Sequence, residues 1–283
     1  MIKKLILGTA NFDVKYGVKN RFRKLKKTEI KKIILCLKKK KINSIDTSQN
    51  YNNTEKMLGD LNIKNFKIIT KLAFNQNKKE TFKDKFFIST KNLNNNFIHT
   101  VLFHNPKDLL GKKGKEIFNE LVLLKKKGFI KKIGVSVYKK EELKKILDKY
   151  KLDIVQIPLN VFNQSFISIN FLRYMKRKKI EIHARSIFLQ GLLLMKEKKI
   201  PKNFKEQKYL FKRWNAWLKK NNITKLEACL NFITKIKDIK KIIVGVDSLK
   251  QLKEILNFKK SKKKLNFSQL SSNSSKLTNP NKW

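Results

Sequence analysis

The chain has 283 residues, of which 41% are hydrophobic, and this is enough to bury a full core in one or two domains. No apolar run approaches the roughly 18–20 residues of a membrane-spanning helix, and the apolar stretch near the start is too brief for a signal-peptide core. The composition therefore excludes a membrane-spanning protein, and we expect a cytoplasmic protein with no membrane partner.

The formal net charge of +48 comes from 69 basic and 21 acidic residues. Such a charge is typical of proteins that bind nucleic acid or anionic membranes. Only six of the basic residues are arginine, which reads bases through its bidentate fork, and the lysines are distributed over every predicted helix. We interpret the charge as the compositional drift of an AT-rich genome, and we expect no specific nucleic-acid partner.

Short apolar runs rich in β-branched residues alternate along the chain with longer, lysine-rich amphipathic segments. The predicted strands lie at residues 4–8, 41–46, 66–72, 98–104, 131–137, 153–159, 180–186 and 240–246. The predicted helices lie near residues 28–40, 54–61, 79–94, 114–127, 139–150, 165–178, 206–233 and 248–257. Eight strand–helix units in a chain of this length predict an α/β protein with a (β/α)8 TIM barrel.

The barrel is predicted to occupy residues 1–258 as a single domain. A doubly wound open sheet is the alternative fold, but it usually carries a G-x-G-x-x-G turn after its first strand, and LGTANFD at residues 7–13 does not match that turn. Residues 259–283 are polar, aperiodic and rich in lysine, serine and asparagine. We therefore predict a C-terminal tail that either flanks the barrel or is disordered.

Four side chains with complementary chemistry follow three consecutive predicted strands. Asp46 and Tyr51 follow the second strand, Lys71 belongs to the end of the third, and His104 ends the fourth. Active sites of TIM barrels form at these C-terminal strand ends. An ammonium lowers the pKa of a neighbouring tyrosine, an aspartate can hold that ammonium, and a histidine can orient the same substrate oxygen. The four residue types predict a general acid for a carbonyl oxygen that requires no metal.

Each of the four also has an ordinary structural explanation. A strand-terminal aspartate often caps the next helix, one lysine among so many carries no information, and a histidine can be partly buried without reacting. Their coincidence at three consecutive strand ends of one barrel favours the functional interpretation.

Motifs in order along the barrel resemble the aldo-keto reductase family over roughly residues 4–257. The motifs are LGTANF, IDTSQNYNNTEKMLG, ITKL, LFHNP, IGVSVY, VQIPLNVFNQ, ARSIFLQGLLL and IIVGVDSLKQLKEIL, one at each predicted strand. The resemblance implies an NAD(P)H-dependent reductase of aldehydes or ketones, with direct transfer of a hydride to the carbonyl carbon.

The same resemblance implies a role for each residue of the predicted catalytic set. Tyr51 is implied to donate the proton, and Lys71 is implied to lower the pKa of that tyrosine. Asp46 is then the carboxylate bonded to the lysine, and His104 orients the carbonyl group.

A nicotinamide-binding site is also implied by the resemblance. Ser136 and Gln156 are implied to hold the nicotinamide amide, the loop 185–194 to wrap the pyrophosphate, and the segment 245–254 to meet the adenosine end. The complete implied set is Gly8, Thr9, Asp46, Ser136, Gln156, Arg185, Ser186, Leu189, Gly191, Gly245, Val246, Asp247, Gln251 and Glu254.

Three residues depart from the family pattern. Asn52 follows the tyrosine where a glycine is usual, and an exposed turn tolerates it. Val137 follows the serine of the fifth strand where an asparagine is common, so one amide contact is lost. Arg185 stands where the nicotinamide ring often stacks on an aromatic side chain. A guanidinium stacks less favourably on the oxidised, cationic ring, so we expect the reduced cofactor to be preferred.

The choice between NADPH and NADH depends on the segment GVDSLKQLKE. Asp247 and Gln251 stand where NADP-binding relatives usually place a cation, and an aspartate repels a 2′-phosphate but accepts a hydrogen bond from a 2′-hydroxyl. Lys250, Ser248 and the positive field of the chain can compensate. On family grounds we predict NADPH as the cofactor, with NADH as the rival.

Two further functions stay open at this point. The first is a catalytically silent barrel that binds the nicotinamide cofactor as a sensor or partner-binding module, and the second is a basic nucleic-acid-binding protein. If the chain is an enzyme, its substrate is a small carbonyl compound chosen by the loops 11–27, 105–113 and 186–205. The first of these loops carries Phe12, Tyr16 and Phe22. The positive field suits a negatively charged or sugar-like compound, and no dimer signal is present.

Overall fold

The computed structural model describes residues 2–13, 24–74, 80–278 and 283. Eight parallel strands, each hydrogen-bonded to the next in chain order, close into a barrel because the eighth strand also pairs with the first. The strands are β1 (Leu5–Gly8), β2 (Ser44–Asp46), β3 (Lys67–Leu72), β4 (Ile98–Phe103), β5 (Ile130–Ser136), β6 (Ile154–Pro158), β7 (Glu181–Arg185) and β8 (Ile239–Gly245). The predicted (β/α)8 TIM barrel is confirmed.

Helices surround the barrel and connect its strands. The α-helices are α1 (Lys27–Lys39), α2 (Thr54–Gly59), α3 (Phe82–Leu93), α4 (Pro106–Leu110), α5 (Gly114–Lys126), α6 (Lys140–Leu147), α7 (Ile169–Arg177), α8 (Lys208–Asn221), α9 (Lys225–Lys235), α10 (Leu249–Leu256) and α11 (Ser275–Thr278). Short 3-10 helices lie at Ile2–Lys4, Leu192–Leu194, Glu197–Lys199, Lys202–Gln207 and Ser268–Leu270. Within the described ranges, no helix combines the length and the apolar character needed to cross a bilayer.

Helix α1 shows how the lysine-rich segments fold. Four of its apolar side chains recur at helical spacing on one face and are buried: Ile30, Ile33, Ile34 and Leu37. The lysines between them are exposed to solvent. The apolar stripe therefore fixes the helix on the barrel, and most of the positive charge stays hydrated on the outer surface.

The single helix predicted over 206–233 is wrong, because the structure has two helices there, α8 and α9. Asn222 ends α8 in the left-handed conformation with φ 48°, which asparagine adopts more readily than most residues. Thr224 then begins α9 with a capping box: its hydroxyl accepts from the backbone N–H of Glu227, whose carboxylate accepts from the backbone N–H of Thr224.

An apolar layer inside the barrel forms the floor beneath the strand ends. Its members are Ile6, Ile69, Leu102, Ile154 and Ile243. Side chains alternate along a strand, so the next inward-facing position lies two residues further toward the C-terminal end. Those positions are Gly8, Lys71, His104, Gln156 and Gly245. The fold therefore places the predicted site residues directly above a dry floor.

The C-terminal segment after α10 packs against α8. Its buried apolar side chains are Leu265, Phe267, Leu270 and Leu277. The indole N–H of Trp217 in α8 donates to the carbonyl of Asn266 at 2.9 Å. The described part of this segment is thus attached to the barrel by core packing, although its division from the barrel at residue 259 stays a prediction.

Candidate active site

Asp46, at the C-terminal end of β2, joins three strands through its carboxylate. Oδ1 accepts from Lys71 Nζ of β3 at 2.5 Å, and Oδ2 accepts from Gln156 Nε2 of β6 at 2.7 Å. Lys71 Nζ also donates to the carbonyl of Thr47 at 2.8 Å. Because these side chains are buried, each charge needs such a fixed partner to offset the cost of leaving water.

The loop after β2 presents Tyr51 through a left-handed turn. Asn52 has φ 47°, a conformation that asparagine tolerates, and this explains how it can replace the expected glycine. Its Nδ2 donates to the carbonyl of Asp13 at 3.0 Å, and Asp13 Oδ2 accepts from the backbone N–H of Asn53 at 3.0 Å. The loop is thereby tied to the segment that follows β1.

Lys71 and His104 both lie near the Tyr51 ring. Lys71 Nζ is 5.2 Å from the centre of that ring, and the His104 ring meets it edge-on with 6.1 Å between the ring centres. The structure therefore brings the four predicted catalytic side chains together at the strand ends, and their individual roles stay predictions.

Ser48 connects His104 to β3. Its Oγ is 3.0 Å from His104 Nδ1 and 3.1 Å from the carbonyl oxygen of Lys71. The backbone N–H of Asn50 donates to the same Oγ at 3.2 Å. The histidine thus has one ring nitrogen in contact with a buried hydroxyl.

Burial governs the ionisation of the site. It raises the pKa of the Tyr51 hydroxyl, the Asp46 charge raises this pKa further, and the charge of Arg185 lowers it. Burial lowers the pKa of Lys71, against the opposing effect of Asp46. The pKa of His104 is lowered to about 3 by burial and by the charges of Lys71 and Arg185, so its ring is neutral at pH 7. Burial is the largest cause of the raised pKa of Tyr51, followed by the charge of Asp46, so the expected lowering of this pKa by Lys71 stays a prediction.

Arg185 ends β7 and faces the same pocket as Tyr51. Its guanidinium carbon lies 4.1 Å from the centre of the Tyr138 ring. Nε donates to Ser136 Oγ at 3.2 Å, and Nη2 donates to the carbonyl of Val137 at 3.2 Å. These contacts fix the plane of the guanidinium.

A pocket of about 600 Å³ lies at the C-terminal ends of the strands, and Tyr51 is part of its lining. The predicted cofactor residues in the lining are Gly8, Thr9, Asp46, Gln156, Arg185, Ser186, Gly191, Gly245, Asp247, Gln251 and Glu254. The predicted cofactor residues that are buried outside the lining are Ser136, Leu189 and Val246. Lys71 and His104 are not part of the lining, so Tyr51 and Asp46 are the predicted catalytic residues that line this pocket. His104 is partly exposed at the same strand ends.

Two features of the pocket fit a nicotinamide cofactor. Gln156 Oε1 is buried and has no hydrogen-bond partner among the described residues, so it is available as an acceptor for a nicotinamide amide. The loop after β7 contains a run of positive φ angles: Ser186 (56°), Leu189 (49°), Gln190 (50°) and Gly191 (86°). In non-glycine residues such angles cost about 1–3 kcal/mol each and cluster at functional loops.

The far end of the pocket, predicted to meet the adenosine, contains an oriented carboxylate. Asn11 Nδ2 donates to Asp247 Oδ1 at 2.7 Å, and Gln251 Nε2 donates to Asp247 Oδ2 at 3.5 Å. Burial raises the pKa of Asp247. Lys225 of α9 also lines the pocket, and its Nζ donates to the carbonyl of Met195.

Several residues of the site were missed by reasoning from the sequence. Ser48 is 56 positions from His104, and their contact depends on the bend of the loop after β2. Asn11 reaches the segment after β8 only because the barrel closes. Lys225 was placed inside one long helix, whereas it lies at the start of α9, where the break after Asn222 turns it toward the pocket. Of the predicted specificity loops, Tyr16 and Phe22 lie outside the described residues.

The closed barrel and the polar pocket at its strand ends define a (β/α)8 protein with a candidate active site in the position usual for this fold. The model of the Aldo/keto reductase family matches residues 4–272, and the chain belongs to this family. Membership implies oxidoreductase activity on carbonyl compounds, in general with NAD(P)H. No curated protein matches the chain.

Solved structures share the fold at low sequence identity. Aldo-keto reductase AKR11C1 from Bacillus halodurans, in its holo form, has a TM-score of 0.74 and 16% identity, with 95% of this chain and 92% of that chain covered. Glycerol dehydrogenase AKR11B4 from Gluconobacter oxydans has a TM-score of 0.67 and 19% identity, with 91% and 88% covered. At these identities the similarity shows the fold alone.

Proposed function

We propose that the chain reduces a small aldehyde or ketone to the alcohol with a reduced nicotinamide cofactor, and that Tyr51 is the general acid. The observation that carries the proposal is the convergence of Tyr51, Lys71, Asp46 and His104 beside a pocket lined by most of the predicted cofactor residues. Membership of the Aldo/keto reductase family supports the reaction class.

Each of the four side chains has a separate role in the proposed reduction. When bound, the nicotinamide cofactor supplies the hydride that adds to the carbonyl carbon. The neutral His104 donates a hydrogen bond that orients the carbonyl oxygen. The raised pKa of Tyr51 keeps its proton in place until the developing alkoxide, a stronger base, takes it. Lys71, held by Asp46, then lies close enough to stabilise the tyrosinate.

The substitution Tyr51→Phe tests the proposed acid. We expect kcat for aldehyde reduction to fall by about 10²–10⁴-fold, the usual contribution of a general acid, while cofactor affinity changes little. The measurement is NADPH oxidation with a panel of small aldehydes, and Tyr209→Phe is the control because Tyr209 is an exposed tyrosine on α8. Unchanged turnover in Tyr51→Phe would exclude the tyrosine as the acid. Cofactor binding with no turnover across the panel would favour the catalytically silent barrel.

The cofactor proposed is NADPH, and the structure supplies an argument on each side. The family and the positive field favour the 2′-phosphate, whereas the oriented carboxylate of Asp247 repels it. We therefore expect calorimetric titration to give a lower Kd for NADPH than for NADH by less than tenfold. The variant Asp247→Ser should widen this difference. Tighter binding of NADH by the unchanged protein would reverse the proposed preference.

A further inference from the structure

The hydroxyl of Ser48 has one proton and two possible hydrogen-bond acceptors for it. It carries one proton and two lone pairs, and one lone pair already accepts from the backbone N–H of Asn50. Its proton can go to the carbonyl oxygen of Lys71 at 3.1 Å or to Nδ1 of His104 at 3.0 Å, and these are mutually exclusive.

The two positions of this proton leave His104 in different tautomers. If Ser48 donates to the carbonyl of Lys71, its oxygen must accept a hydrogen bond from Nδ1–H of His104, and the neutral ring then has a bare Nε2 that can only accept. If the proton goes to Nδ1, the ring proton resides on Nε2, which is then a donor. Only the second tautomer can donate a hydrogen bond to a carbonyl oxygen.

The surroundings favour the second arrangement. The carbonyl oxygen of Lys71 already accepts from the backbone N–H of Gln49 at 3.2 Å, so it does not need the proton of Ser48. In the second arrangement Nδ1 of His104 accepts the hydrogen bond of Ser48, whereas in the first arrangement it would have to act as the donor. Ser48 itself is fully buried, so water does not compete for its hydroxyl.

We propose that Ser48 is a positioning residue that donates to Nδ1 of His104 and thereby fixes the tautomer whose Nε2–H points to the substrate carbonyl. The proposal rests on the proposed function, because the tautomer matters only if His104 orients a carbonyl oxygen. The hydrogen bond from Nε2–H strengthens as negative charge grows on the substrate oxygen in the transition state. A substitution of Ser48 is therefore expected to change kcat more than KM.

The tautomer is measured directly by nitrogen-15 spectroscopy of the histidine rings, which separates a protonated from a bare ring nitrogen. The chain has three histidines, so the variants His99→Gln and His183→Gln assign the His104 signals by elimination. At pH 7 we expect Nε2 to carry the proton in the unchanged protein. In Ser48→Ala we expect a mixture of tautomers, and a dominant Nδ1–H form in the unchanged protein would overturn the proposal.

Kinetics give the second readout. We expect Ser48→Ala to lower kcat for 4-nitrobenzaldehyde about tenfold with KM within twofold, and Ser48→Thr, which keeps the hydroxyl, to recover most of the loss. The matched control is Thr54→Val, which removes a buried hydroxyl of α2 that has no partner among the described residues. Circular dichroism verifies that each variant folds.

The two proposals fail separately. If no carbonyl compound is reduced, the proposed function fails, while the spectroscopy still reports whether Ser48 sets the tautomer. If the unchanged enzyme turns over and Ser48→Ala keeps both its kcat and its tautomer, only the role of Ser48 is rejected.

Discussion

Arg185 adds a second positive charge to a site where the ammonium of Lys71 is already paired with Asp46. The guanidinium is half-buried, and it donates to three neutral acceptors: Ser136 Oγ, the carbonyl of Val137 and Ser186 Oγ. In the part of the chain that the structure describes, no carboxylate forms an ion pair with it. An unpaired cation beside Tyr51 attracts anions, so we expect a carbonyl substrate that bears a negative group to react better than a neutral one.

The variant Arg185→Leu tests this selectivity. At saturating cofactor, we expect kcat/KM for 4-carboxybenzaldehyde to fall about tenfold more than kcat/KM for benzaldehyde, a difference of about 1.4 kcal/mol. The control is Arg173→Leu, which removes the same charge from an exposed position of α7. An equal loss for the two aldehydes, or the same selectivity change in Arg173→Leu, would show that Arg185 does not read the substrate charge.

At the residue scale, site residues could be predicted from the sequence where a reactive side chain stands at the end of a predicted strand. Asp46, Lys71 and His104 could be predicted because each ends an apolar run, and a barrel brings all such ends to one face. Ser48 could not be predicted as their partner, because a serine near a strand end has no distinctive pattern. Its contact to His104 needs the exact course of the loop after β2.

The C-terminal segment, residues 259–278, is the element for which the sequence left two alternatives open. Its apolar side chains are few and follow no period, yet Phe267 packs 4.8 Å from the ring of Trp217 and 5.3 Å from that of Phe232, measured between ring centres. Gln164 Nε2 also donates to the carbonyl of Phe267 at 2.8 Å. Reasoning from the sequence left a flanking or a disordered tail open, because neither helical nor strand periodicity marks side chains that fill gaps between helices.

The substitution Phe267→Ala measures how firmly this segment is attached. The side chain is buried, so we expect a loss of about 3 kcal/mol in the free energy of unfolding, at the low end of the range for buried aromatic truncations. Urea denaturation gives this value, with Phe97→Ala as the control because Phe97 is 43% exposed. A loss no larger than that of the control would mean that the segment contributes nothing to the core.

The whole molecule combines a net charge of +48 with three histidines that are held neutral by the fold. Burial, with nearby positive charges, lowers the pKa of His99 to about 4 and that of His104 to about 3, and burial also lowers the pKa of His183. In the unfolded chain each histidine titrates near its ordinary pKa of about 6.5. Between that pH and about pH 4 these histidines bind protons in the unfolded chain but not in the folded one, so their contribution to the free energy of unfolding falls as the pH falls.

Urea denaturation at pH 7 and pH 5 tests this acid sensitivity. We expect lower stability at pH 5, since a histidine that is protonated only on unfolding contributes up to about 1.4 kcal/mol per pH unit. The contribution of His99 is smaller, because this ring is about half exposed and solvent screens its shift. His99→Gln should flatten the pH dependence, and an unaltered dependence in that variant would contradict the assignment.

The indole side chains of the molecule all lie on one side of the barrel. Trp214 Nε1 donates to the carbonyl of Leu193 at 3.2 Å, and Trp217 is bonded to the C-terminal segment. Trp283 packs on Phe204 with 5.1 Å between ring centres. These are the three tryptophans of the chain, so its tryptophan fluorescence reports on the C-terminal third of the chain. If emission and far-ultraviolet circular dichroism are followed in one thermal melt, the emission will report whether α8 and the C-terminal segment detach before the rest of the barrel unfolds.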